Sequence, residues 1–169
     1  LKPVLEAAIE MAAVRAERKR MTVTLSCDES IEARVNAPLL EQAVLNLLDN
    51  AIKYSDEGTT VEVTVTEQES ETALRIRDHG CGIPAEHLPH IFQRFYVVDK
   101  SRSRKLGGTG LGLAIVKHIA LVHQGRVTVA GETVSGPHPS IGMIFQEEST
   151  VPWRTVLANV AFPLDVAGM

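Results

Sequence analysis

The stretch PLLEQAVLNLLDNAIKY carries Asn46, Asn50, Lys53 and Tyr54 at helical spacing. At about 100° per residue, a helix over 38–54 puts these four and Gln42 on one face. Leu40, Ala43, Val44, Leu47, Leu48 and Ala51 form an apolar stripe on the other. Carboxamide oxygens are hard donors that suit Mg²⁺, a cation that keeps several waters and is shared with phosphates. An ammonium at Lys53 can neutralise a phosphate, and the Tyr54 ring can lie along a base or ribose. A solvated polar face, which most surface helices carry, accounts for the same residues.

Two glycine-bearing segments follow. In DHGCGIP, an ionised Asp78 only accepts hydrogen bonds, as from the exocyclic amine of adenine. Gly80 and Gly82 let a ring approach the backbone, although Asp and Gly are also ordinary β-turn residues. Further on, GGTGLGL (107–113) enters a helical pattern, where free N–H groups favour phosphate. It is not a phosphate loop, because no Gly-Lys-Ser/Thr follows, and no clear strand precedes it to make a dinucleotide fingerprint.

Around these motifs the pattern predicts a helix over 3–20 and a strand at 21–26, with a short second strand at 32–36. Val61, Val63 and Val65, then Leu74 and Ile76, alternate as two strands joined by a polar loop, EQESE. IFQRF (91–95) reads as a short helix or turn, and 96–110, charged and glycine-rich, as a flexible flap. A helix over 111–123 is expected to end at Gly125 and to lead into a strand at 126–130. The resulting expectation is an α+β two-layer sandwich, a mixed and mostly antiparallel sheet covered by helices on one face.

Composition excludes several classes. The 169 residues suffice for one domain with a core, and no run of apolar residues is long enough to span a membrane. A net charge of −4 argues against nucleic-acid binding. Cys27 and Cys81 suggest neither a disulfide scaffold nor a metal pair, which fits a reducing cytoplasm. Leu1 in place of an initiator Met leads us to expect that the chain begins inside a longer protein.

The order NLLDNAIKY, DHGCGIP, FQRF, flap, GGTGLGL resembles the ATP-binding catalytic domain of sensor histidine kinases, over about residues 3–130. That superfamily includes gyrase and heat-shock chaperone ATPases. The resemblance implies ATP and Mg²⁺ as ligands and an ATP lid formed by the flap. It assigns Asn46, Asn50 and Lys53 to the catalytic set, with Asn50 as the metal ligand and Lys53 facing the phosphates. Tyr54 adjoins the nucleoside, and Asp78 reads the adenine amine in a pocket shaped by Gly80, Gly82 and Ile83. Phe92 and Phe95 anchor the lid, Arg94 faces phosphate, and Gly108, Thr109, Gly110, Leu111 and Gly112 form the lid hinge and phosphate cradle. Arg102, Arg104 and Lys105 in the lid are further phosphate candidates, with a solvated loop as the alternative.

The implied activity is that of a two-component protein-histidine kinase, a transferase moving the γ-phosphoryl group of ATP to a histidine on a separate dimerisation domain. A response regulator is the implied next partner. No histidine here begins the His-Glu/Asp-x-x-x-Pro pattern of a phosphoacceptor; His118 and His123 are expected to serve a helix face or the core. The expected location is cytoplasmic, without membrane contact by this chain. The alternative is a module of the same fold that binds nucleotide and transfers nothing.

From about residue 131 to 169 the chain departs from the kinase pattern. GMIFQEES and VPWRTVLANVAFPL resemble the region around the Q-loop glutamine, here Gln146, of an ABC importer ATP-binding subunit, so the chain reads as a fusion or chimera. Without a phosphate loop this segment is not expected to bind ATP as a transporter does, and a fragment of an ABC-transporter subunit stands as the further alternative. Ile141, Met143 and Phe145 alternate as a closing strand beside 126–130 requires.

Overall fold

The computed structural model describes residues 1–68, 71–99, 107–130 and 140–146. Helix α1 (Lys2–Arg18) leads to strand β1 (Thr22–Ser26) and helix α2 (Ala37–Tyr54). Strands β2 (Thr60–Gln68) and β3 (Glu71–Arg77) follow, then helix α3 (Gly112–Val122) and strands β4 (Arg126–Ala130) and β5 (Ser140–Gln146). The sheet order is β1-β2-β3-β5-β4. Only the β1–β2 pair is parallel; the other three pairs are antiparallel. One layer of helices covers the sheet: α1 lies on β1, α2 on β2 and β3, and α3 on β4 and β5. The architecture is the expected α+β sandwich.

Alternation decides which face of the sheet is covered. Val61, Val63, Val65, Leu74 and Ile76 are all at most 5% exposed, while Thr66, Arg75 and Arg77 between them face water. The apolar stripe of α2 meets this surface, and each of its six expected residues is buried. β5 runs between β3 and β4, with Ile141 in register with Ile76 and Val129, and Met143 with Leu74 and Val127. Across it, Arg126 donates to both carboxylate oxygens of Glu71 at 2.9 Å.

Three expectations need correction. Among the described residues, 32–36 pair with no strand, although Ile31 is buried and the exposure alternates after it. The Asn36 N–H donates instead to His123 Nε2 at 2.9 Å. That ring therefore keeps its proton on Nδ1, within 2.8 Å of the Ile119 carbonyl, and is 2% exposed. The polar loop at 67–71 is shorter than its composition suggests, because Glu67 and Gln68 pair with Thr72 and Glu71. Finally, α3 ends through Gln124, not Gly125, in the left-handed conformation (φ 54°). Gln124 N–H reaches the Leu121 carbonyl at 3.0 Å and Gly125 N–H the Ala120 carbonyl at 2.8 Å, the pair of bonds of a Schellman cap. α1 ends the same way, with Arg20 at φ 53°. IFQRF is a run of turns. Lid residues 100–106, which include Arg102, Arg104 and Lys105, and residues 147–169 lie outside the described residues.

Leu48 is fully buried in α2, whereas Leu121 is 51% exposed in α3. Leu48→Ala is expected to lower unfolding free energy by about 2–5 kcal/mol. Leu121→Ala is expected to change it by no more than about 0.5 kcal/mol. Urea unfolding of the two variants checks both.

Candidate functional site

The polar face of α2 exists because its apolar face is used up in the core. Asn36 opens the helix, its Oδ1 accepting the Leu39 N–H at 3.1 Å, and Pro38 lies in the first turn. From there the phase is fixed, and Asn46, Asn50, Lys53 and Tyr54 all line a cavity of about 680 Å³. Gln42, on the same face a turn earlier, is exposed and outside it. Burial pushes the Lys53 ammonium below the ordinary lysine range, opposed by the neighbouring Asp49 carboxylate. Its Nζ stands 5.4 Å from the centre of the Tyr54 ring.

The opposite wall begins at the end of β3, where Asp78, Gly82 and Ile83 line the cavity. Burial raises the Asp78 pKa above the usual carboxylate value, partly offset by the Gly80 N–H and by His79. The Gly80 N–H donates to Asp78 Oδ1 at 2.8 Å, which orients the carboxyl. Gly80 itself stands behind the cavity. It forms a β-bridge with Ser55, and a Cβ there would come within 2.8 Å of the Tyr54 carbonyl oxygen. Its lack of a side chain lets the Asp78 turn dock on the end of α2.

The lid stems close a third side. The Phe95 N–H donates to the Gly110 carbonyl at 2.9 Å, and both residues are left-handed, with φ of 64° and 70°. A Cβ on Gly110 would lie 2.7 Å from the Phe95 carbonyl carbon, so this clasp requires glycine. Gly108, Thr109, Gly110 and Gly112 line the cavity, whereas Leu111 does not. Gly112 faces α2, its Cβ position 3.6 Å from Asn46 Oδ1 and 3.8 Å from Asn50 Nδ2.

Phe92, Arg94 and Phe95 are not brought to the cavity; Arg94 is exposed and Phe95 is 71% exposed. The buried anchor of that turn is Ile91, which does line it. Also absent from the sequence reading are Tyr96, whose hydroxyl lies 2.7 Å from His87 Nδ1, and the Arg15–Asp49 pair at 2.7 Å. Lys19 was missed too. The basic end of α1 was visible as charge, but nothing local says that it reaches α2.

Among the described residues no three His, Cys, Asp or Glu side chains group to hold a metal, and no helix is long and apolar enough to cross a membrane. The carboxamides of Asn46 and Asn50, side by side on the cavity wall, fit a hard cation that takes its remaining ligands from water and phosphate.

Asp78 carries a testable cost. Its folded pKa is raised, so its contribution to stability is present while the carboxyl is protonated, below about pH 4, and is lost as pH rises through the folded value. Asp78→Asn keeps an acceptor for the Gly80 N–H and removes the charge. The variant is expected to melt higher than the parent at pH 7, with the gap closing toward pH 4; thermal melts at the two pH values decide.

The family model for histidine kinase-, DNA gyrase B- and HSP90-like ATPases matches residues 35–151. The chain is 40% identical over 121 residues to the sensor histidine kinase YkoH of Bacillus subtilis, covering 72% of this chain and 26% of that protein. It is 48% identical over 97 residues to the probable sensor kinase SilS of Salmonella typhimurium, covering 57% of this chain and 20% of that protein. It thus spans about a quarter of the length of such relatives. Its fold superposes on the mycobacterial sensor histidine kinase MprB with a TM-score of 0.70 at 30% identity, over 88% of this chain and 95% of that one. The catalytic domain of histidine kinase ThkA shares the fold, with a TM-score of 0.73 at 19% identity. By the match over more than half its length, the chain belongs to the histidine kinase-, gyrase- and HSP90-like ATPase family.

Proposed function

We propose that this chain is the ATP-binding catalytic unit of a sensor histidine kinase, and that it delivers the γ-phosphoryl group of ATP to a histidine on a separate dimerisation domain. The observation that carries this is the convergence of the α2 amides, Lys53 and Asp78 on one cavity closed by the lid stems. Bound Mg²⁺, held by Asn50 with water and phosphate oxygens, would neutralise charge on the phosphates. Lys53, partly desolvated, gains from a phosphate close to it. Asp78 accepts from the adenine amine, and a base without that amine would leave a buried acceptor unpaired. Transfer of this kind is mostly positioning and charge stabilisation, so the site needs no nucleophile of its own. The proposed setting is cytoplasmic, with a response regulator receiving the phosphoryl group from the histidine.

The test is titration calorimetry with ATP, with and without Mg²⁺, followed by transfer to a supplied histidine-hairpin domain. Saturable binding that prefers ATP to GTP is expected. Asn50→Ala is expected to weaken Mg²⁺-dependent binding by roughly tenfold, about 1.4 kcal/mol. Unchanged binding would remove Asn50 from the metal role.

The expected likeness of the segment after residue 130 to an ABC importer subunit finds no support, and the family match itself runs on to residue 151; the segment is proposed to serve this domain through the strand at 140–146. Pairing of that strand with both β3 and β4 favours this reading over a transporter role. A chain ended at residue 130 is expected to lose cooperative urea unfolding; a sharp, unchanged transition would make the segment dispensable.

A further inference from the structure

Among the described residues, the three α-helices end in two ways. α1 and α3 satisfy their last carbonyls locally, through Schellman bonds. α2 has no such device. Its C-cap, Ser55, is extended at φ −84° and ψ 161°, and the only cap bond from its N–H goes to the Ala51 carbonyl at 3.1 Å. The chain leaves this helix straight into the bridge with Gly80.

The missing cap comes from α1. Lys19 Nζ donates to the carbonyls of Ile52 at 2.8 Å, Ser55 at 2.7 Å and Lys53 at 3.3 Å. These three bonds use all the donors of the ammonium, and its charge lies at the negative end of the α2 dipole. Its base is held as well: Lys19 is the C-cap residue of α1, and its own carbonyl accepts the Gly58 N–H at 3.0 Å.

The three carbonyls bracket Lys53 and Tyr54, the last α2 residues to line the cavity. Ser55, the third acceptor, is the residue bridged to Gly80, whose N–H orients Asp78. One ammonium is thus bonded to the backbone that carries the phosphate-side cation and to the residue on which the amine-reading turn docks.

We infer that Lys19 is a positioning residue for nucleotide binding, acting through the α2 terminus on Lys53 and Asp78 together. The inference rests on the proposed nucleotide function. Without the ammonium, the three carbonyls lose this donor and the exit of α2 is free to shift. Asp78 then loses its register, so discrimination falls along with affinity. Arginine is a poor replacement, because its planar fork cannot converge on three carbonyls from one nitrogen.

The experiment compares parent, Lys19→Met and Lys19→Arg by calorimetric titration with Mg·ATP and Mg·GTP. It is run at a temperature where circular dichroism shows each chain folded. Lys19→Met is expected to bind ATP about tenfold or more weakly, with a smaller ratio of ATP to GTP affinity, and Lys19→Arg several-fold more weakly. A purely structural role would lower the melting temperature and leave both the affinity of the folded chain and its base preference unchanged. That result in either folded variant overturns the inference. If Lys19→Met does not fold, Lys19→Arg carries the same comparison alone. Failure of the parent to bind ATP would instead sink the proposed function, so the two failures are distinguishable.

Discussion

The site depends on one helix being held in one rotational phase. α2 buries Leu40, Ala43, Val44, Leu47, Leu48, Ala51 and Ile52, and that packing leaves Asn46, Asn50 and Lys53 pointing the other way. A rotation that exposed the stripe would cost several buried side chains, each worth about 1.5–3 kcal/mol. The core thus sets the direction of the amides, and at the last turn the Lys19 ammonium adds a second hold on the backbone that carries Lys53.

The other walls are referred back to the same helix. The Asp78 turn docks on its end through Ser55 and Gly80, the lid returns to its middle through Gly112, and α1 reaches it through Arg15 and Lys19. Close approach is possible at the first of these places because Gly80 lacks the Cβ that would collide with the Tyr54 carbonyl. The burial that raises the Asp78 pKa is a property of this docking. Such a carboxyl is a cost to the empty domain and has value only with a donor in front of it.

What the sequence disclosed follows from the range of the interactions. Helix phase and strand alternation are local, so α2, β2 and β3 and the four α2 residues of the cavity were legible. Asp78, Gly82 and the lid glycines were legible through motif order. Contacts made across the fold were not. Nothing in ERKR distinguishes Lys19, which caps another helix, from Arg18 beside it. The phenylalanines of FQRF dominate their turn by size, yet Ile91 is the one buried. Gln124 took the left-handed position expected of Gly125, because the Schellman bonds fix where the helix stops and the glycine falls one residue later. Residues 32–36 have the alternation of a strand, but no described strand lies beside them.

The clasp between Phe95 and Gly110 has a bearing on how this domain can diverge. A segment whose two ends are already joined is a closed loop, and its entropy grows only with the logarithm of its length. Doubling such a loop costs about 0.6 kcal/mol. The length of chain between the clasped ends is therefore nearly free to vary as far as closure is concerned, while the clasp itself, with its obligatory glycine, is the part that is not.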